Sequence, residues 1–531
     1  MIPRIVLIGY GPVGARFVEG MIDPVRAGVA ALTVLGAERH DAYNRVLVGE
    51  YAVGRATRER LEIAETAAAV DAGAAIRLAE TAVAIDRDRR VVRTDAGAEV
   101  SYDRLVLATG ARANLPTLAG LERCVRDRRT SPSSAAELDA GSAPLPPGVA
   151  TLRSIEDAER VLPVVRGRGR IIVLGAGVLG MEVALAAAEQ GAEVTVVHHG
   201  EAPMDRNLDR GAGRSLAQAC RRIGVRLLPH SRAESVILST DTAEPRFDAL
   251  VTADGKVLPA DLLLISVGAS ARTELAVAAG IEVSAGIVVD ESLASWSDPA
   301  VFAIGDCAQI AERAAKTIGQ RVPGAPAGLI APGWRQADWL SDRLAIEAAG
   351  GVPRTPPPAA RPAVVMLKAE GIDVVAGGDV AAEPWDADPE EQPARHVAMW
   401  VDGAAGSYVK MVTRGGVLEG FASVGMPRTG AELTLHFERG SELPADPSLL
   451  LRLDAADATS TASDPLSPES TVCWCNGVTV QGVTDAAAGG CRGVDDVGRK
   501  TRAGTGCGGC RGRIAELIAG HAAAQAPAAT P

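Results

Sequence analysis

The chain has 531 residues, room for about three or four domains of ordinary size. Hydrophobic residues make up 47% of it and aromatics only 3%, so its cores must be aliphatic, and a net charge of −12 argues against nucleic acid or an anionic membrane as partner. No apolar run reaches the roughly 18 residues of a spanning helix, and the N-terminus shows no signal-peptide pattern, so a cytoplasmic location with no membrane partner is expected.

Residues Ile5 to Ile8 are an apolar run of the kind a buried parallel strand needs. Gly9, Gly11 and Gly14 follow as GxGxxG, with Pro12 between them. At a strand-to-helix turn the first glycine permits the tight bend, the second lets backbone approach a pyrophosphate, and the third lets helix and strand pack closely. The helix N-terminus would hold the phosphates with unpaired N–H groups. A second strand, Leu32 to Leu35, leads to Glu38, where an acid can meet a ribose hydroxyl. The polar stretch 39–60 reads either as a polar surface loop or as a loop over the cofactor, with Arg45 near its phosphates. Another apolar strand ends in Ala108, Thr109 and Gly110, a small turn a cofactor can lie against.

A second fingerprint stands at Gly175, Gly177 and Gly180, with Val178 between and Glu182 just beyond. The strand after it ends in His198 and His199, where an acid would favour NAD and a base would tolerate NADP; histidine leaves that choice open, and a strand-end cap is an equal reading. The strand from Leu262 ends at Gly268 much as the earlier one ends at Gly110. Gly305-Asp306 puts a carboxylate at a strand end, for a polyol hydroxyl or as a helix N-cap. A helix is expected from Gly328 to about Ala349, then alternating strands to residue 440.

Five of the eight cysteines lie in the last sixty or so residues. Cys473-Trp-Cys475 and Cys507-Gly-Gly-Cys510 can converge on one metal centre, zinc or an iron–sulfur cluster. The CxC arrangement departs from paired CxxC zinc motifs, and an upstream redox domain makes the electron carrier more useful. Cys491 reads as a small buried residue.

Taken in order, these motifs resemble the two-dinucleotide-domain flavoprotein disulfide-reductase superfamily. The runs from Ala42 and from Gly328 resemble the flavin part of assimilatory NAD(P)H nitrite reductases, and Cys473 to Cys510 resembles bacterioferritin-associated ferredoxin. The resemblance implies an α/β chain with two Rossmann-like domains: an FAD-binding one over 1–116 and 276–350, and an NAD(P)-binding one over 149–275. An inserted loop at 117–148, a small α+β interface domain at 360–440, a flexible linker at 441–470, a small helical [2Fe-2S] domain at 471–520 and a disordered tail at 521–531 complete the layout.

Carried over, the resemblance puts Gly9, Gly11, Pro12 and Gly14 on the FAD pyrophosphate and Glu38 on its ribose. Arg39, Arg45, Ala108, Thr109 and Gly110 would line that cofactor, and Asp306 would bind the ribityl chain. Gly175, Gly177, Val178, Gly180, Glu182, His198 and Gly268 would serve NAD(P)H, and Cys473, Cys475, Cys507 and Cys510 the cluster. No cysteine precedes Cys124, which excludes the CxxxxC dithiol of the disulfide reductases. The cysteines of a sirohaem and [4Fe-4S] half are also missing up to Pro531, so nitrite reduction by this chain alone is not expected. The implied function is electron transfer from NAD(P)H through FAD and [2Fe-2S] to a molybdopterin nitrate reductase catalytic subunit. The alternatives are a nitrite reductase half, a ferredoxin or a rubredoxin as acceptor, a redox or iron sensor, and a zinc-stabilised adaptor.

Overall fold

The computed structural model describes residues 2–63, 66–121, 145–239, 244–313, 321–353, 364–369, 371–386, 393–444, 446–454, 467–473, 476–506 and 508–525. They divide into two compact units, Met1–Leu451 and Arg452–Pro531. Among the described residues no helix is long and apolar enough to cross a membrane.

The first unit contains two five-stranded parallel sheets of the same design. In one, the strands lie in the order Val301–Ala303, Arg104–Leu107, Arg4–Ile8, Ala31–Gly36, Ala75–Leu78. In the other the order is Arg226–Leu228, Glu193–Val197, Arg170–Leu174, Leu262–Ile265, Val149–Ala150. Both central strands are buried on both faces, which is why they read as unbroken apolar runs. Each hands over to a helix, Pro12–Arg26 or Val178–Glu189, at the point where strand order reverses. Open α/β sheets bind ligands at such crevices.

Helix Ile330–Ala348 returns to the first sheet and crosses helix Pro12–Arg26 so closely that a Cβ on Gly20 would lie 2.2 Å from Ser341 Oγ. Trp334 Nε1 donates to Pro12 O at 3.2 Å across the same crossing. Five strands form an antiparallel sheet in the order Val364–Ala369, Ile372–Gly378, Val417–Val424, Ser407–Arg414, Arg395–Asp402. Helix Pro427–Arg439 covers it, with Phe437 edge-on to Phe421 at 5.5 Å.

Three expectations change. The stretch 39–60 is no free loop: Val48–Ala52 is helical, and Tyr43, Leu47, Val48 and Ala52 are buried in the core of the second sheet. Pro447–Arg452, placed in the flexible linker, is a helical turn whose Leu450 is buried and accepts a hydrogen bond from Thr429 Oγ1 at 2.9 Å. Residues 521–525, placed in the tail, belong to helix Arg511–Gln525. Most of the insertion, 122–144, lies outside the described residues, but Leu118, Leu121 and Leu145 at its ends are buried beside the second sheet.

The second unit has a short hairpin, Thr471–Cys473 with Val478–Thr479, and helices Val480–Ala488, Val494–Thr501 and Arg511–Gln525. Val483, Val497, Ala503 and Ile514 form its fully buried centre.

Candidate functional site

The two glycine loops repeat each other atom for atom in their constraints. Gly9 has φ +104°, and a Cβ there would lie 2.2 Å from Ala108 O; Gly175 has φ +111°, and its Cβ would lie 2.3 Å from Ser266 O. The third glycines are closed in by the first: a Cβ on Gly14 would lie 2.2 Å from Gly9 O, and one on Gly180 would lie 2.4 Å from Gly175 O. The middle glycines differ. Gly177 has nothing within 4 Å, and the nearest atom to a Cβ on Gly11 is Arg45 Nε at 3.6 Å. The fold therefore demands glycine at the outer two positions and leaves space at the middle one, which fits a pyrophosphate approaching bare backbone. Pro12 and Val178 open the two helices, and neither first turn carries an acidic residue that would repel a phosphate.

Beside the first loop, Glu38 is held by an ion pair with Arg45 and by Tyr43, whose hydroxyl donates at 2.9 Å. Arg45 Nη1 donates to Arg153 O at 2.8 Å, and Arg153 Nη2 meets Asp306 Oδ2 at 3.1 Å. Asp306 sits in the turn Gly305–Cys307, anchored by Gln336 Oε1 accepting from Gly305 N at 2.7 Å, so it is an ion-pair partner and not a helix cap. Thr109 and Gly110 border the same space: Thr109 Oγ1 donates to Arg272 O and Gly110 O accepts from Arg272 N, both at 2.9 Å. Glu38, Arg45, Thr109, Gly110 and Asp306 thus gather around the first loop. Tyr43 joins them from five positions beyond Glu38, and Arg153 joins them from 153 positions away from Asp306. Among the described residues Arg39 makes no ion pair or side-chain hydrogen bond there.

Around the second loop, Glu182 is half-buried on the new helix and Gly268 takes φ +98° where Asn114 N donates to its carbonyl at 2.9 Å. His198 turns inward, 6% exposed, and its Nε2 has no hydrogen-bond partner among the described residues. Burial above all holds its pKa below the ordinary 6.5, against the opposing pull of Asp205 and with His199 and His230 adding to the depression. Burial thus weakens the imidazole as a cationic partner for a 2′-phosphate. Below about pH 6.5 the unfolded chain takes up this proton before the folded one, so stability is full above that pH and falls as pH drops toward the lower folded pKa. His198→Gln should therefore lose less Tm than the natural chain between about pH 7 and 5; equal losses in a thermal melt series would refute the assignment.

In the C-terminal unit Cys473 is 2% exposed, and its pKa falls to about 6, first through a hydrogen bond with Cys510 and then through the amides of Gly504 and Asn476. Asn476 Nδ2 also lies 3.7 Å from Cys473 Sγ. Thiolate-favouring surroundings with N–H groups aimed at sulfur suit a cluster ligand. Cys475 and Cys507 lie outside the described residues. Among the described ones no group of three or more possible ligands gathers. Cys491 is half-buried against the unit's core.

Two dinucleotide cradles on one unit, in a chain that also carries a thiol-bearing unit, define a two-domain pyridine-nucleotide oxidoreductase. The family model "Pyridine nucleotide-disulphide oxidoreductase" matches residues 3–325, and the "BFD-like [2Fe-2S] binding domain" model matches 471–520. The chain belongs to the pyridine nucleotide–disulphide oxidoreductase family and is an NAD(P)H-dependent flavin oxidoreductase whose cofactors are FAD, NAD(P)H and a [2Fe-2S] cluster. It is 28% identical over 535 residues to the nitrite reductase (NADH) large subunit of Escherichia coli, covering 98% of this chain and 56% of that one. To the assimilatory nitrate reductase electron transfer subunit of Bacillus subtilis it is 27% identical over 372 residues, 70% of this chain and 44% of that one. The chain thus spans about half the length of the curated relatives it matches. The covalent putidaredoxin reductase–putidaredoxin complex shares the fold, with TM-score 0.67 at 23% identity over 84% of this chain and 95% of that one.

Proposed function

We propose that this chain is the electron-transfer component of a nitrate-assimilating system, oxidising NAD(P)H and delivering electrons to a molybdopterin nitrate reductase. FAD supplies hydride acceptance from NAD(P)H, and the [2Fe-2S] cluster supplies one-electron transfer onward. The chain's own residues bind and orient. Gly9, Gly11 and Gly14 would admit the FAD pyrophosphate to the helix opened by Pro12, with Arg45 beside it. Glu38 would take the ribose and Asp306 the ribityl chain, while Ala108, Thr109 and Gly110 line the crevice. Gly175, Gly177, Val178 and Gly180, with Glu182 and Gly268, would hold NAD(P)H, and Cys473, Cys475, Cys507 and Cys510 the cluster.

The observation that carries this reading is the pairing of two open-centred glycine cradles in one unit. The Bacillus subtilis relative, an electron transfer subunit by name, supports the nitrate partner. A nitrite reductase half is the second reading, favoured by the Escherichia coli relative's match along 98% of the chain. The test mixes purified holoprotein and NAD(P)H with a molybdopterin nitrate reductase lacking its own flavin. Nitrite should accumulate with stoichiometric NAD(P)H oxidation. No nitrite formation, alongside brisk reduction of a sirohaem nitrite reductase half, would favour the second reading.

A further inference from the structure

We propose that Arg272 is a ligand-binding residue of the first cradle, its guanidinium sharing the cofactor's diphosphate with Arg45. The inference rests on the reading that this cradle holds FAD. Strand Ala269–Ala271 pairs antiparallel with Ala111–Ala113, carrying the chain from the second sheet back to the first loop's edge. The next residue, Arg272, is pinned there through its amide to Gly110 O and its carbonyl to Thr109 Oγ1.

The cations around this crevice are matched by carboxylates: Arg45 by Glu38, Arg112 by Glu274, and Arg153 by Asp306. Arg272 has no ion-pair or side-chain hydrogen-bond partner among the described residues, and it is open to solvent as a group lining a crevice would be. Crowding by the protein around it, although part of the side chain stays exposed, and then the charges of Arg45 and Arg112 lower its pKa, while Glu274 and Glu38 pull the other way. Glu274 and Glu38, already paired with Arg112 and Arg45, offset this repulsion only in part. A diphosphate drawn to Gly11, where Arg45 Nε already stands, supplies the missing negative charge, and a guanidinium fork matches its oxygens.

The test titrates flavin-stripped full-length chain with FAD, and with ADP as competitor, since ADP shares the diphosphate and lacks the flavin. Arg272→Gln should weaken both by one common factor, about tenfold or more, a loss of about 1.4 kcal/mol or more. Arg272→Lys should recover part of it, and the stripped Arg272→Gln chain should melt no lower than the natural one. Unchanged affinity for FAD overturns the proposal, as does a loss confined to FAD, which would place Arg272 at the flavin ring, or a lowered Tm of the stripped variant. A natural chain that binds no FAD would sink the FAD reading instead.

Discussion

Gly11→Ala should yield a folded, thermally sound chain that purifies without its flavin. Gly11 has φ −86° and ψ −171°, which alanine adopts freely, and a Cβ there meets nothing closer than Arg45 Nε at 3.6 Å. The empty fold therefore loses nothing, and the reduced entropy of the unfolded chain favours alanine by about 0.4–1 kcal/mol. The methyl group instead occupies the space through which a pyrophosphate reaches the helix N-terminus. A weakening of FAD binding by about a hundredfold, some 3 kcal/mol, is expected. Gly9→Ala makes the contrast. At φ +104°, with Ala108 O 2.2 Å from the new Cβ, it destabilises the fold itself. Flavin absorbance per chain after gel filtration, with the Tm of each stripped variant, separates the two effects. Gly11→Ala protein that keeps its flavin would show that the first cradle does not hold the pyrophosphate.

That contrast also shows what a sequence displays and what it hides. The apolar runs Ile5 to Ile8 and Ile171 to Leu174, and the glycines after them, are legible because every constraint on them is local: a strand, a turn, a helix start. Glu38 and Asp306 are legible as acids at strand ends. The partner of Asp306 is not. Arg153 reaches Asp306 from 153 positions away, and Arg45 reaches Arg153 O across 108. The stretch 39–60 misleads because its polar residues dominate the pattern while Tyr43, Leu47, Val48 and Ala52 bury against helices Ile155–Arg166 and Val178–Glu189. His198 is only half legible: its position leaves a cofactor contact and a strand-end cap both open, and tertiary packing leaves it 6% exposed. Nothing local in a lysine on a strand announces full burial either, and Lys410 is the extreme case.

Lys410→Met should cost about 3–5 kcal/mol, and adding Asp209→Asn should restore much of it. The Lys410 side chain is 0% exposed on strand Ser407–Arg414, with Nζ 3.7 Å from Asp209 Oδ2 and 3.5 Å from Glu383 Oε1. Asp209, its side chain 6% exposed, also accepts from the Tyr408 hydroxyl at 2.5 Å and from Gly211 N at 3.2 Å, capping helix Arg210–Arg222. Removing the ammonium leaves a desolvated carboxylate with only a phenol and an amide to stabilise it, and an unpaired buried charge is more costly than the pair. Asparagine in its place removes that charge and keeps an acceptor for Gly211 and Tyr408. The consequence reaches the second cradle, because the segment ahead of Asp209 is tied to it: Met204 N donates to Ala176 O at 2.8 Å, between Gly175 and Gly177. The single variant should therefore raise the KM for NAD(P)H as well as lower the urea midpoint, and the double variant should recover both. If the single variant unfolds at the natural midpoint, the pair is not what fastens the antiparallel sheet to this helix.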